Sequence, residues 1–118
     1  MSLTRDQILA APDLKTESVP VPEWGGEVLV RMMTASERDD FEAKLFVGEG
    51  EKRRVNQKDF RARLCAIVLV DDKGERLFKV DDVELLGRKS AAALERVFEV
   101  AQRINGLGEK AVEEAKKD

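Results

Sequence analysis

Few side chains in this sequence are equipped for chemistry. Histidine and tyrosine are absent, which removes the commonest acid–base group, the commonest zinc ligand and any tyrosine catalysis. The single cysteine, Cys65, has no second thiol to pair with, and inside the apolar run LCAIVLV it reads as a small buried hydrophobe. Ser2, Ser18, Ser36 and Ser90 lack a histidine base, and the last two fall in helix starts, where capping is their ordinary role. Acidic pairs recur at Asp39-Asp40, Asp71-Asp72, Asp81-Asp82 and Glu113-Glu114. Adjacent helical positions do not face each other, so the pairs on helices cannot form carboxylate dyads. Asp71, Asp72, Asp81 and Asp82 are the set that a turn could gather around a hard cation. With Gly74 as the loop glycine of an EF-hand, however, Leu69 stands where the first acidic ligand is required. These carboxylates read as turn and cap residues. No enzyme activity, cofactor or metal is expected.

Lys52, Arg53, Arg54, Lys58, Arg61 and Arg63 form the basic cluster. It offers a second reading of the chain, a small adaptor that binds nucleic acid or an acidic partner through Lys52 to Arg63. Only Phe60 interleaves with these charges, and its helical period assigns it to the core, so nucleic acid is the weaker choice. No glycine-rich phosphate loop is present. The formal charge of −3, from 21 basic and 24 acidic residues, is too small and too mixed to demand a strongly charged partner.

The elements that must position these residues centre on Ser90 to Gly106, SAAALERVFEVAQRING. At about 100° per residue one half of this helix gathers Ala91, Ala93, Leu94, Val97, Phe98, Val100, Ala101 and Ile104, with Ser90 as N-cap and Asn105-Gly106 as a left-handed stop. So wide an apolar arc needs more than one neighbour. A strip of Ala93, Val97, Val100 and Ile104 is the candidate face left open to a partner, and Val100→Asp is expected to weaken binding or self-association.

Upstream, the Thr4/Gln7 capping box opens a short helix over residues 5–10. Residues 17–33 read as a β-hairpin, with Val19 and Val21 alternating with Pro20 and Pro22, then Val28, Val30 and Met32 returning after Trp24-Gly25-Gly26. Prolines at a spacing of two remove amides from one side of the first strand, so that side is an edge. Thr34 and Glu37 make a second capping box, and VGEGEKRRVNQK reads as a long mobile loop. Asn56 and Asp59 begin a helix that carries Phe60, Leu64, Ile67 and Val68 on one face and continues through LCAIVLV, with a strand as the alternative for that run. Arg76-Leu77-Phe78 is a short extended piece, Asp81 caps a brief helix through Leu86, and 108–118 is a polar, frayed tail. At 118 residues the chain is one domain, long enough to bury roughly 65% of its unfolded surface. The fold class is α+β: an N-terminal hairpin packed on a mainly helical part, 35–105, that ends in a long amphipathic helix. No leader and no membrane span is expected, the lone cysteine suits a reducing cytoplasm, and no internal repeat is visible.

In order along the chain, LTRDQILAAPDLKTESVPVPEWGGEVLVRMMTASERDDFE and DDKGERLFKVDDVELLGRKSAAALERVFEVAQRINGL resemble the tail assembly chaperones of long-tailed, siphovirus-like bacteriophages and prophages. The Val-Pro-Glu-Trp-Gly-Gly hairpin, the Thr34 to Phe41 helix start, the Asp72 to Phe78 turn and Leu86-Gly87 before the alanine-rich helix carry the likeness. That resemblance implies a non-enzymatic protein of the host bacterial cytoplasm, absent from the mature virion. It implies binding to the hydrophobic tape measure protein and recruitment of tail tube protein. It also implies a longer form of the same chain made by a −1 frameshift, for which Ala115-Lys116-Lys117 could be encoded by an A AAA AAR slip sequence. Self-association is a further candidate. Partner-binding candidates are therefore Ala93, Val97, Val100, Ile104, Arg53 and Arg54.

Overall fold

A computed structural model describes residues 1–56 and 58–107; the expected tail over 108–118 lies outside the described residues. The fold is α+β, with a small antiparallel sheet and several helices. Helix α1 (Arg5–Ala10) carries both arms of the Thr4/Gln7 capping box. Strands β1 (Thr16–Val21) and β2 (Gly26–Arg31) follow, in a register that runs from Thr16 opposite Arg31 to Val21 opposite Gly26. That register puts Val19, Val21, Val28 and Val30 on one face, where Val19, Val21 and Val30 are buried. The reversal is a 3₁₀ turn, Pro22–Trp24, closed by Gly25 at φ 75°. A side chain at Gly25 would meet nothing within 4 Å, so the requirement is conformational rather than steric. Pro20 alone sits within β1, the edge strand; Pro22 opens the turn instead.

Helix α2 (Ala35–Ala43) starts at the Thr34/Glu37 capping box and buries Phe41. The segment expected to be a long loop is instead a second, two-stranded hairpin, β3 (Phe46–Val47) with β4 (Arg54–Val55), closed by the 3₁₀ turn Gly50–Lys52. Its geometry depends on Gly48 at φ 87°, where a Cβ would stand 2.4 Å from the Lys52 carbonyl oxygen. The Arg53 guanidinium lies 4.3 Å from the Phe46 ring centroid, a cation–π contact that the charge-rich composition concealed.

Helix α3 (Phe60–Val68) starts later than the Asn56/Asp59 signal suggests. Asp59 takes a left-handed φ of 53° and makes no side-chain cap, while the Asn56 amide donates to the Lys44 carbonyl. The expected helix through LCAIVLV also stops early. It ends at Val68, and Leu69–Val70 become strand β5, pairing with Leu29 and Val30 of β2. The free edge of β2 supplies the hydrogen-bond partners, and both halves of the run are buried, which explains its all-round apolar character. Arg76 bridges back to Val70 and the Leu77 amide donates to Leu69 O at 3.0 Å, so the predicted extended piece covers the outer edge of β5. A 3₁₀ turn, Val80–Asp82, leads into α4 (Val83–Leu86). Asp82 rather than Asp81 holds this turn, its carboxylate accepting from the Lys79 amide at 2.9 Å.

The organising helix, α5 (Ala91–Ile104), packs on α3 and on the valine face of β1 and β2. Ser90 caps its start by accepting from the Ala93 amide. Its end is a Schellman turn, with Gly106 at φ 64° and the Leu107 amide donating to Gln102 O. Phe60 stands 5.5 Å from both Phe41 and Phe98, centroid to centroid, joining α2, α3 and α5 through one aromatic chain. Asn105 is the buried polar residue of this core. Its Oδ1 accepts from the Met33 amide at 2.6 Å, its Nδ2 donates to Ala101 O at 2.8 Å, and its carbonyl accepts from Arg38. Asn105→Ala leaves the buried Met33 N–H unpaired and is expected to lower unfolding free energy by about 1–3 kcal/mol. Urea denaturation at neutral pH measures it; an unchanged midpoint would rule out this clamp.

Candidate interaction surface

The residues with chemical potential are engaged in structure. Cys65 is fully buried, its Sγ facing Leu94 O, and burial pushes the thiol up to about 12, with Glu95 adding to the rise. The Asp71 carboxylate accepts from the amides of Lys73 and Glu75, closing the turn at Gly74. Ser18 donates to Glu27 and Ser90 caps α5. Among the described residues no group of three or more Cys, Asp or Glu is placed to hold a metal ion.

The basic cluster is divided. Arg61 pairs with Glu95, and Arg63 donates to Asn56 O while burial pulls its guanidinium below the ordinary arginine range. Lys52, Arg53, Arg54 and Lys58 remain exposed, with Glu49 and Glu51 in the same hairpin. Arg53 and Arg54 therefore sit on a mixed-charge hairpin, with Arg53 stacked on Phe46.

The strip expected on α5 is split as well. Ala93 and Val97 have 0% exposure and lie in the core beneath the sheet and α3, out of reach of a partner. Their place is explained by the two neighbours of α5, which cover the wide arc from both sides. Val100 and Ile104 are half-buried and packed against that core, so Val100→Asp would load a charge onto the core as well as onto the surface. Outside the arc, Arg96 pairs with Glu23 and Arg103 with Glu17, fixing α5 antiparallel to β1.

Concave apolar surface appears where no periodicity announced it, on either side of the segment from Arg76 to Leu86. On one side Trp24, Phe78, Leu85 and Leu86, flanked by Glu23 and Lys89, line a groove of about 540 Å³. Leu85 is 57% exposed there, and the Trp24 Nε1 atom is buried without a hydrogen-bond partner among the described residues. On the other side, α2, α3 and α4 enclose a groove of about 230 Å³ whose apolar lining includes Phe41, Ile67, Val80 and Val83. Sequence reasoning read Trp24 as part of the hairpin reversal and saw no site here. The available signal was Leu77, Val80 and Leu85, apolar residues that fit neither a strand nor a helix face and are all exposed.

No helix among the described residues is long and apolar enough to cross a membrane. A family model for phage tail assembly chaperones matches residues 5–118. The solved structure of the bacteriophage HK97 tail assembly chaperone superposes with a TM-score of 0.60 at 18% identity, covering 88% of this chain and 95% of that one. No curated protein sequence matches.

Two solution properties follow. Cys65 should resist an aromatic disulfide reagent at pH 8 and react only as the chain unfolds, so rapid native labelling would contradict the packing of α3 on α5. The hydrogen bond from Arg96, and secondarily its own backbone amide, holds the Glu23 carboxyl below its ordinary 4.5. Because the folded value is depressed, this contact stabilises above the unfolded pKa and is lost as pH falls through the folded one. Fluorescence of Trp24, the one tryptophan, should show an acid midpoint below 4.5, and Arg96→Gln should move that midpoint upward.

Proposed function

The chain belongs to the phage tail assembly chaperone family, and on that premise we propose that it binds the tape measure protein and promotes assembly of the tail tube around it. It acts without catalysis, in the cytoplasm of the host bacterium, and is left out of the finished virion of a siphovirus-like phage. A longer form of the same chain, made by a −1 frameshift, works beside it and brings the tail tube protein. Sequencing the gene across the codons for Lys116 and Lys117 tests that form, since a region without a slippery heptamer could not produce it.

The observation that carries client binding is the Trp24 groove. Trp24, Phe78, Leu85 and Leu86 present apolar walls between the charged ends of Glu23 and Lys89, and Leu85 is more than half exposed among them. Hydrophobic helices and extended segments fit such a surface through apolar anchors, with a polar contact fixing register. A tape measure protein, long and hydrophobic, has stretches of this chemistry.

Co-expression of the tape measure protein with this chain is the direct test, read as client in the soluble fraction. Wild type should keep it soluble. Leu85→Asp, at an exposed position, should cut the soluble client at least about tenfold while the chaperone itself melts normally. Trp24→Phe trims one apolar wall of the groove while keeping it aromatic, and should give a smaller loss. A client equally insoluble with and without wild type would end the chaperone reading. A client fully soluble with Leu85→Asp would move the site to Val100 and Ile104.

A further inference from the structure

Positive charge in this acidic chain is gathered in one stretch. Residues 44–63 hold seven basic and three acidic side chains, against a net charge of −3 for the whole. The β3–β4 hairpin carries the middle of that stretch. Its strands pack chiefly on each other, so Lys52, Arg53 and Arg54 stand exposed on its turn and returning strand. The fold holds them there: Gly48 sets the turn, and Arg53 is stacked over the Phe46 ring. A guanidinium already held in place loses less side-chain entropy when it takes up a carboxylate.

The foot of this hairpin is the rim of the α2/α3/α4 groove. Asn56 joins the two. Its backbone and side-chain amides donate to the carbonyls of Leu45 and Lys44, and its own carbonyl accepts from Arg63. Lys44 and Arg63 both line the groove, beside the apolar walls of Phe41, Ile67, Val80 and Val83. Neither cation closes an ion pair among the described residues, and Asp59 acts on Arg63 only through space. Of the two lining carboxylates, Glu37 is taken up by Arg31 and Arg76, which leaves Asp40 as the opposing charge on the rim. The groove volume of about 230 Å³ exceeds the ~150 Å³ of an apolar cavity that accepts benzene, which is room for one bulky apolar side chain.

We infer that groove and hairpin form one docking site for an acidic segment of a partner protein. A bulky apolar side chain of that segment sits between α2, α3 and α4, and its carboxylates run from Lys44 and Arg63 out to Arg53 and Arg54. A protein segment fits this surface better than a nucleic acid strand. Glu49 and Glu51 interrupt the cations where a phosphate backbone would run, and the exposed Phe46 ring, which a base would stack on, is covered by Arg53. The site lies across the Arg76 to Leu86 segment from the Trp24 groove and does not rest on the client reading.

The test is fluorescence anisotropy on the full-length chain at low salt, with a labelled probe peptide, Glu-Asp-Glu-Leu-Phe-Glu-Asp. Wild type should bind it at least about tenfold more tightly than three controls: a probe with serine for leucine and phenylalanine, a probe with lysine for each acid, and a labelled oligouridine. Arg53→Glu combined with Arg54→Glu should weaken the acidic probe at least about tenfold and strengthen the lysine probe. Val80→Ser, neutral and at an exposed position, should weaken the acidic probe about threefold by thinning an apolar wall. Both variants should melt like wild type, and Leu85→Asp should bind the probe as wild type does. No binding of the acidic probe, equal binding of the serine probe, tighter binding of oligouridine, affinity unchanged by either variant, or loss of binding with Leu85→Asp would each overturn the inference.

Discussion

The side-chain amide of Asn105 is the contact on which the placement of everything else depends. Through Oδ1 it holds the Met33 amide where the first hairpin leaves the sheet, through Nδ2 it ties back to Ala101, and the backbone carbonyl of the same residue accepts from Arg38 of α2. Three elements distant in sequence are thereby fixed at the end of α5, in a buried setting where an unmatched polar group would be costly. Apolar burial gathers α3, α5 and the sheet, but it is non-directional. The amide adds direction, and the Arg96–Glu23 and Arg103–Glu17 pairs repeat it at the surface, where each is worth little alone. The Phe41–Phe60–Phe98 chain then fills the space between helices whose orientation has been set.

Much of this fold was legible because its signals are local. Both capping boxes, the valine alternation of the hairpin, the reversal at Trp24-Gly25-Gly26 and the Ser90 and Gly106 caps all stand as the residue pattern indicates. The α+β class follows from them. The departures have two causes, a partner supplied by another part of the chain and a local backbone conformation that residue type alone did not announce. Leu69 and Val70 leave the helix because β2 has a free edge, β3 and β4 form because Gly48 and Gly50 allow the turn, and Asp59 does not cap because its backbone is left-handed. Asn105 shows the limit clearly: its place at a helix stop was readable, but its bond to Met33 spans 72 residues.

The interaction surface was harder to read for the same reason. The apolar arc of α5 was correctly seen as too wide for one neighbour, and it was then covered by two, which removed Ala93 and Val97 from the surface. The concave faces arise instead around Arg76 to Leu86, a segment of short irregular turns where Val80 faces one groove and Leu85 the other. Concavity of this kind is a property of packing between elements and has no period in sequence. A chain from the tail assembly chaperone family thus places two separate apolar grooves on opposite sides of one short connecting segment.

The strand edges of the small sheet have a consequence of their own. β1 carries Pro20, which has no amide to offer, and β5 is overlaid by the return of Arg76 and Leu77. A foreign strand therefore finds no long, continuous ladder on either side. Such edges protect the sheet against being recruited into a growing cross-β stack. Contacts made through side-chain grooves stay reversible, and a sheet that cannot be extended keeps the backbone out of the exchange.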